Sequence, residues 1–152
     1  DCKFIFTHFV PHEDTAHRGL SQLGPASRRA CMGSLLTAGT AVLEPTLAIE
    51  VRVPTDLVGN VATILSGKRG KVLDMQQKGA SSIVIGEIPA SETFTLSEAM
   101  RGQTAGRATW NTSFKEWTEV PKSMLTTAVA DIRKRKGLAP EPPGVNEFID
   151  KE

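Results

Sequence analysis

Residues 11 to 19 read Pro11-His12-Glu13-Asp14-Thr15-Ala16-His17-Arg18-Gly19 and carry two of the three histidines in the chain. Titratable side chains gathered this closely are where metal binding, acid/base catalysis or recognition would sit. A zinc hydrolase is the first chemistry to weigh, because His12-Glu13 and His17 superficially resemble two histidines bracketing a catalytic glutamate. The spacing opposes it. Zinc-binding histidines of that kind lie four apart on one helical face, whereas two residues five apart diverge by roughly 140° at about 100° per residue. Acid/base or nucleophilic catalysis would suit a histidine beside Glu13 and Asp14, yet no activated serine or cysteine accompanies it. Nucleotide hydrolysis needs a phosphate-cradling GxxxxGK[ST] loop, and Gly67-Lys68 has neither the upstream glycine nor a following Ser or Thr. The remaining reading is a contact loop, with His17 and Arg18 at its tip and Gly19 permitting the turn out of it. A guanidinium forks onto phosphate and an imidazole stacks on or hydrogen-bonds a base, so RNA fits this loop.

The loop must be held between an element before it and one after it. Residues 3 to 10, rich in Phe, Ile and Val, predict a strand, in which His8 reads as a packing or edge residue. Ser21 predicts the cap of a helix running to about Ala38, with Pro25 in its first turns, Gly39 ending it, and a stripe of Cys31, Leu35 and Ala38. Arg28 and Arg29 fall beside that stripe, as a solvated face or an anion contact.

Glu44-Pro45 reads as a boundary, since proline bars the preceding residue from helix, and a cleanly alternating strand follows from Thr46 to Val53. Pro54-Thr55-Asp56 opens a helix with Leu57, Val61, Ile64 and Leu65 at helical spacing, closed by Gly67-Lys68-Arg69-Gly70. Lys71 to Gln77 and Ser81 to Pro89 predict two strands joined at Lys78-Gly79-Ala80. Thr95-Leu96-Ser97-Glu98 is a capping box for a short helix through about Gln103, and Arg107 to Phe114 predicts a fourth strand. The order βαββαβ is that of the ferredoxin-like fold, an α+β class with both helices on one face of an antiparallel sheet. An RNA-recognition motif of that topology would carry aromatic stacking residues on its central strands. Ser82-Ile83-Val84-Ile85 is aliphatic and the chain has no tyrosine, so the sheet is not expected to be an RNA platform. Pro121 suits the first turn of a last helix striped by Leu125, Ala128, Val129 and Ile132, which Gly137 and the prolines at 140, 142 and 143 stop. Its last turn carries Arg133-Lys134-Arg135-Lys136, more positive charge than a helix dipole needs, and so a candidate RNA or phosphate contact.

At 152 residues, 39% hydrophobic and 23% charged, the composition is that of a globular chain able to bury a core. A net charge of +1 means that any nucleic-acid surface must be a local patch. Cys2 and Cys31 lack CxxC partners and read as reduced thiols of a cytoplasmic protein. No apolar run approaches the roughly 18 residues needed to span a bilayer, so no membrane partner is expected. The opening at Asp1, directly into strand-like sequence, reads as part of something longer.

Several of these stretches resemble, in the right order, the C-terminal part of archaeal or eukaryotic-type elongation factor 2, a family of translational GTPases. His12 to Gly19 resembles the family's His-x-Asp-Ala-x-His-Arg-Gly loop at the tip of domain IV, and Leu35 to Pro45 the link from that domain to domain V. Gly67-Lys68-Arg69-Gly70-Lys71 and Thr104-x-Gly106-Arg107 resemble domain V signatures, and Ile132 to Leu138 the closing helix. The resemblance implies three regions: residues 1–44 as the end of domain IV, 45–120 as the ferredoxin-like domain V, and 121–152 as the closing helix and tail. It implies that His17 is the diphthamide position, whose imidazole carbon receives an amino-carboxypropyl arm ending in a carboxamide and a quaternary ammonium. Such a cation is charged at any pH, which an ordinary imidazole is not. Implied partners are the ribosome, with rRNA and the tRNA–mRNA pair at the decoding site, and the diphthamide-synthesis enzymes. His12, His17, Arg18, Lys68, Arg69, Arg133, Lys134, Arg135 and Lys136 are the expected ribosome contacts. The implied function is GTP-dependent translocation of tRNA and mRNA. GTP and Mg belong to the parent protein, and this stretch is expected to have no enzymatic activity, cofactor or metal of its own. The alternative is a translation-factor-like scaffold that docks a protein during ribosome or ribonucleoprotein assembly.

Overall fold

The computed structural model describes residues 2–149. It divides into two compact units, Asp1–Ala41 together with Lys122–Glu152, and Val42–Pro121.

The second unit is built on four strands, β1 (Leu43–Pro54), β2 (Lys71–Lys78), β3 (Ser81–Pro89) and β4 (Thr109–Glu119). They form one sheet in the order β2-β3-β1-β4, with every neighbouring pair antiparallel. Helix α2 (Val58–Gly67) joins β1 to β2 and α3 (Leu96–Thr104) joins β3 to β4, which completes the expected ferredoxin-like α+β order. Alternation decides which face of the sheet is covered. Ile49, Val51 and Val53 of β1 and Val84 and Ile88 of β3 are buried with Val61, Ile64 and Leu65 of α2 and Leu96 and Met100 of α3. Removing that apolar area from water is the main driving force for this unit.

Local details depart from the expected elements. β1 begins before Pro45, which lies inside the strand rather than at its boundary. A proline is tolerated there because pairing with β3 starts only at Thr46, so no ladder bond on that side is lost at Pro45. The helix after β3 is preceded by a 3-10 segment, Ala90–Thr95, and Thr95 makes no side-chain capping bond. The Thr95 hydroxyl instead accepts from Lys68 Nζ. β4 runs on to Glu119, five residues beyond the expected end at Phe114, with Phe114 and Trp117 in contact at 5.9 Å between ring centroids. The β2–β3 turn needs Gly79, whose φ is +65°.

The first unit contains α1 (Leu20–Thr37) and α4 (Lys122–Arg135). The expected strand at 3 to 10 does not form: no regular structure is assigned from Cys2 to Val10, and Ile5, Phe6, Phe9 and Val10 are exposed. A strand exists through its ladder, and among the described residues no strand pairs with this segment. Helix α1 starts one residue before Ser21; Gly19 is its cap, without a side-chain bond. Pro25 is its sixth residue, beyond the first turn whose N–H groups lack helical partners, so the helix loses a bond to the Ser21 carbonyl. Past α4, Gly137 adopts φ +69° and Leu138 N–H returns to the Arg133 carbonyl at 2.9 Å, a glycine-terminated helix end. The tail then makes a 3-10 turn at Val145–Glu147 rather than staying extended. No helix among the described residues is long and apolar enough to cross a membrane.

Candidate contact loop and basic turns

Between Pro11 and Gly19 the chain closes on itself through its own polar groups. Asp14 caps a 3-10 turn, Thr15–Arg18, by accepting from Ala16 N–H at 2.9 Å. Nδ1 of His12 accepts from Asp14 N–H at 3.0 Å, which leaves its other ring nitrogen to carry the proton when the ring is neutral. The His12 and His17 rings meet at 4.7 Å between centroids, tilted by 54°. Around His17, Gln22 Nε2 lies 3.3 Å from Nδ1, and Asp14 Oδ2 lies 3.9 Å from Nε2. Its side chain is 54% exposed, so the ring is oriented from two sides and still open to solvent.

Arg18 is turned inward along the loop. Its Nε donates to the His12 carbonyl at 2.6 Å and its Nη2 to the Glu13 carbonyl at 3.0 Å. It therefore shapes the tip, and the imidazoles are what the tip presents. Sequence reasoning singled out His12, His17 and Arg18, and the structure brings them together, with Asp14 and Gln22 as the residues it missed. Asp14 was legible as a cap three residues ahead of His17; Gln22 carried no signal. Among the described residues, no group of three or more His, Cys, Asp or Glu side chains is placed to hold a metal.

Lys68 and Arg69 lie in the α2–β2 turn. Arg69 has φ +53°, a left-handed backbone that costs a non-glycine residue about 1–2 kcal/mol. Its side chain repays this with a clasp. Nη1 and Nη2 fork onto Glu44 at 2.7 and 3.0 Å, Nε reaches Glu92 at 2.8 Å, and Nη2 reaches Ser91 at 2.9 Å. Four of the five guanidinium N–H groups are thereby used. The Arg69 hydrogen bonds hold the Glu44 carboxyl below its ordinary range, against a smaller opposing effect of burial. The Arg69 guanidinium, held between Glu44 and Glu92, binds its proton more tightly still. Sequence reasoning offered Arg69 as a ribosome contact; the geometry gives it a structural occupation, tying the turn to β1 and to the segment before α3. That role had no sequence signal, because its partners lie 22 to 25 residues away.

In the last turn of α4 the basic run divides similarly. Arg133 donates to the Ala139 carbonyl at 2.6 Å and secures the helix end, while Lys134, Arg135 and Lys136 are exposed.

Together these features define a class: a ferredoxin-like α+β domain accompanied by a helical unit that carries an exposed histidine loop. Comparison with known proteins narrows it. The family described as Elongation factor G C-terminus matches residues 41–137, and the chain belongs to that family. Elongation factor 2 of Cenarchaeum symbiosum is 79% identical over 152 residues, all of this chain and 21% of that protein. Elongation factor 2 of Desulfurococcus mucosus is 45% identical over 147 residues, covering 97% of the chain and 20% of that protein. A crystal structure of a protein from Thermus thermophilus matches with a TM-score of 0.54 and 30% identity over 64% of this chain and 14% of its own. The chain thus spans about a fifth of the length of the curated relatives it matches.

Proposed function

We propose that this chain is the ribosome-facing end of an elongation factor 2 that drives GTP-dependent translocation of tRNA and mRNA. The 79% identity to an elongation factor 2 along the whole chain carries this reading. In it, residues 1–44 are the end of domain IV, 45–120 domain V and 121–152 the closing helix and tail. The Pro11–Gly19 loop is the tip that meets RNA at the decoding site. GTP and its Mg2+ act in another part of the longer protein, and the work of this part is binding and positioning.

Each basic group contributes according to its geometry. His12 and His17 present ring faces and edges that can stack on or hydrogen-bond bases. Lys134, Arg135 and Lys136 supply exposed charge to phosphate, and Lys68 offers a charge beside the α2–β2 turn. Arg18 and Arg69 serve by shaping the loop and the turn. His17 is the site at which a diphthamide arm would be built; the ring is exposed for the synthesis enzymes, and the arm would extend a permanent cation beyond the loop. The protein works in the cytoplasm.

The test is ribosome binding by the intact protein across a salt series, with Lys134→Ala and Lys136→Ala. Each phosphate contact removed should lower the slope of log affinity against log salt by about 1. An unchanged slope and affinity in the double variant would mean that this helix end docks a protein or stays in solvent. Mass analysis of the native peptide holding His17 tests the modification separately, and a mass equal to that of the bare sequence would remove it.

A further inference from the structure

The two halves of α1 are held differently. In its C-terminal half, Gly33 faces the tail: a Cβ built on Gly33 would sit 3.5 Å from Phe148 Cβ, ordinary contact distance. One helical turn earlier, Arg29 Nη2 donates to the Glu147 carbonyl at 3.3 Å. Residues four apart share a helix face, so the tail turn Val145–Glu147 and Phe148 seat on one stripe of α1. Toward its C-terminus, Ser34, Leu35 and Ala38 line a pocket with Cys2 to Ile5, so that segment lies against it too. Cys31, Gly33 and Leu35 are half-buried.

Ahead of this moored stretch the helix has a weak joint. Pro25 supplies no N–H to the Ser21 carbonyl and its ring crowds that carbonyl; prolines in helix interiors are where helices bend. Gly24 beside it has no Cβ to restrict the backbone, and nothing lies within 4 Å of where one would be. In the first turn beyond the joint Leu20 is 87% exposed and Ser21 and Gln22 are exposed, with Leu23 half-buried. The tip loop continues directly from that turn, since Gln22 and Leu23 N–H both return to the Gly19 carbonyl at 3.0 Å.

We propose that Gly24–Pro25 is a hinge on which the tip loop and first turn of α1 swivel as one piece, while the tail segment 145–148 moors the helix beyond it. The loop keeps its own shape, through Asp14 and Arg18, as its direction changes. This goes beyond the ribosome reading and does not depend on it.

Amide hydrogen exchange on the intact protein, resolved by residue, tests the hinge without any ribosome present. In the unaltered protein, amides 22–24 should exchange at least about tenfold faster than amides 30–36. Pro25→Ala returns the missing donor and should slow 22–24 toward the rate of 30–36. Phe148→Ala should speed 30–36 by about tenfold and leave 22–24 as they were, with Phe148→Leu falling between. Uniform exchange along the helix, or no slowing in Pro25→Ala, would overturn the hinge. Equal acceleration of both halves in Phe148→Ala and Phe148→Leu would overturn the mooring, since a merely structural loss would not stop at the joint.

Discussion

The two units of this chain hold their shape by different means. Every residue identified as buried lies between Thr46 and Ala108, in the sheet unit, whereas neither α1 nor α4 has a buried residue. The sheet unit is stabilised by apolar area withdrawn from water. The loop unit is shaped by polar bonds: within the loop a cap at Asp14 and Arg18 on two carbonyls, and beyond it Arg29 on the tail. The difference teaches where rigidity is placed. A domain with a core can carry strain such as left-handed Arg69, while a loop without one must stitch its backbone locally to have any defined shape.

The largest expected effect comes from the core. Leu65 is fully buried between sheet and helices, so Leu65→Ala should destabilise the sheet unit by about 2–5 kcal/mol, read by urea unfolding through the fluorescence of Trp110, which packs against the core. A cost below about 1 kcal/mol would deny the sheet unit its core-dependent character.

Next in size is the clasp. Glu44→Gln removes the charge onto which Arg69 forks and should cost about 1–2 kcal/mol at neutral pH. Because the folded carboxyl is held below its ordinary value of 4.5, this stabilisation is complete above that value and is lost as pH falls through the lower, folded value. The gap between parent and variant should therefore close on acidification. A gap that persists unchanged to about pH 2 would mean that Glu44 acts through shape alone.

The smallest effect belongs to the loop unit. Leu20→Ala, at a position 87% exposed, should change stability by less than about 0.5 kcal/mol. A cost approaching that of Leu65→Ala would erase the contrast between the units.

What could be read from the sequence follows the same division. Where burial dictates pattern, as in the alternation of Ile49, Val51 and Val53 or the helical spacing of Val61, Ile64 and Leu65, the elements and their topology were legible. Residues 3 to 10 carried a strand-like pattern too, but a pattern specifies a face and only a neighbour supplies the ladder. Pro45 misled as the start of the strand because its tolerance inside β1 depends on where β3 ends, at Pro89. In the site, residue types pointed to His12, His17 and Arg18, but not to which way Arg18 faces. Arg69 looked like a surface cation because Glu44, Ser91 and Glu92 are distant in sequence; their convergence is a property of the fold alone.

The sheet has one further consequence for how folded copies of the chain meet. Its two outer strands each contain an extra residue: Leu73 on β2, where pairing passes from Val72–Gly86 to Asp74–Ile85, and Lys115 on β4, where it passes from Thr46–Glu116 to Leu47–Phe114. Lys115 is ion-paired with Glu87 and Glu116. A bulge breaks the regular spacing of outward N–H and C=O groups, and a lysine at the break resists being laid against another strand. Both margins of the sheet are thus poor templates for a second copy. Two single residues outside the core, Leu73 and Lys115, thereby set the sheet against edge-to-edge polymerisation.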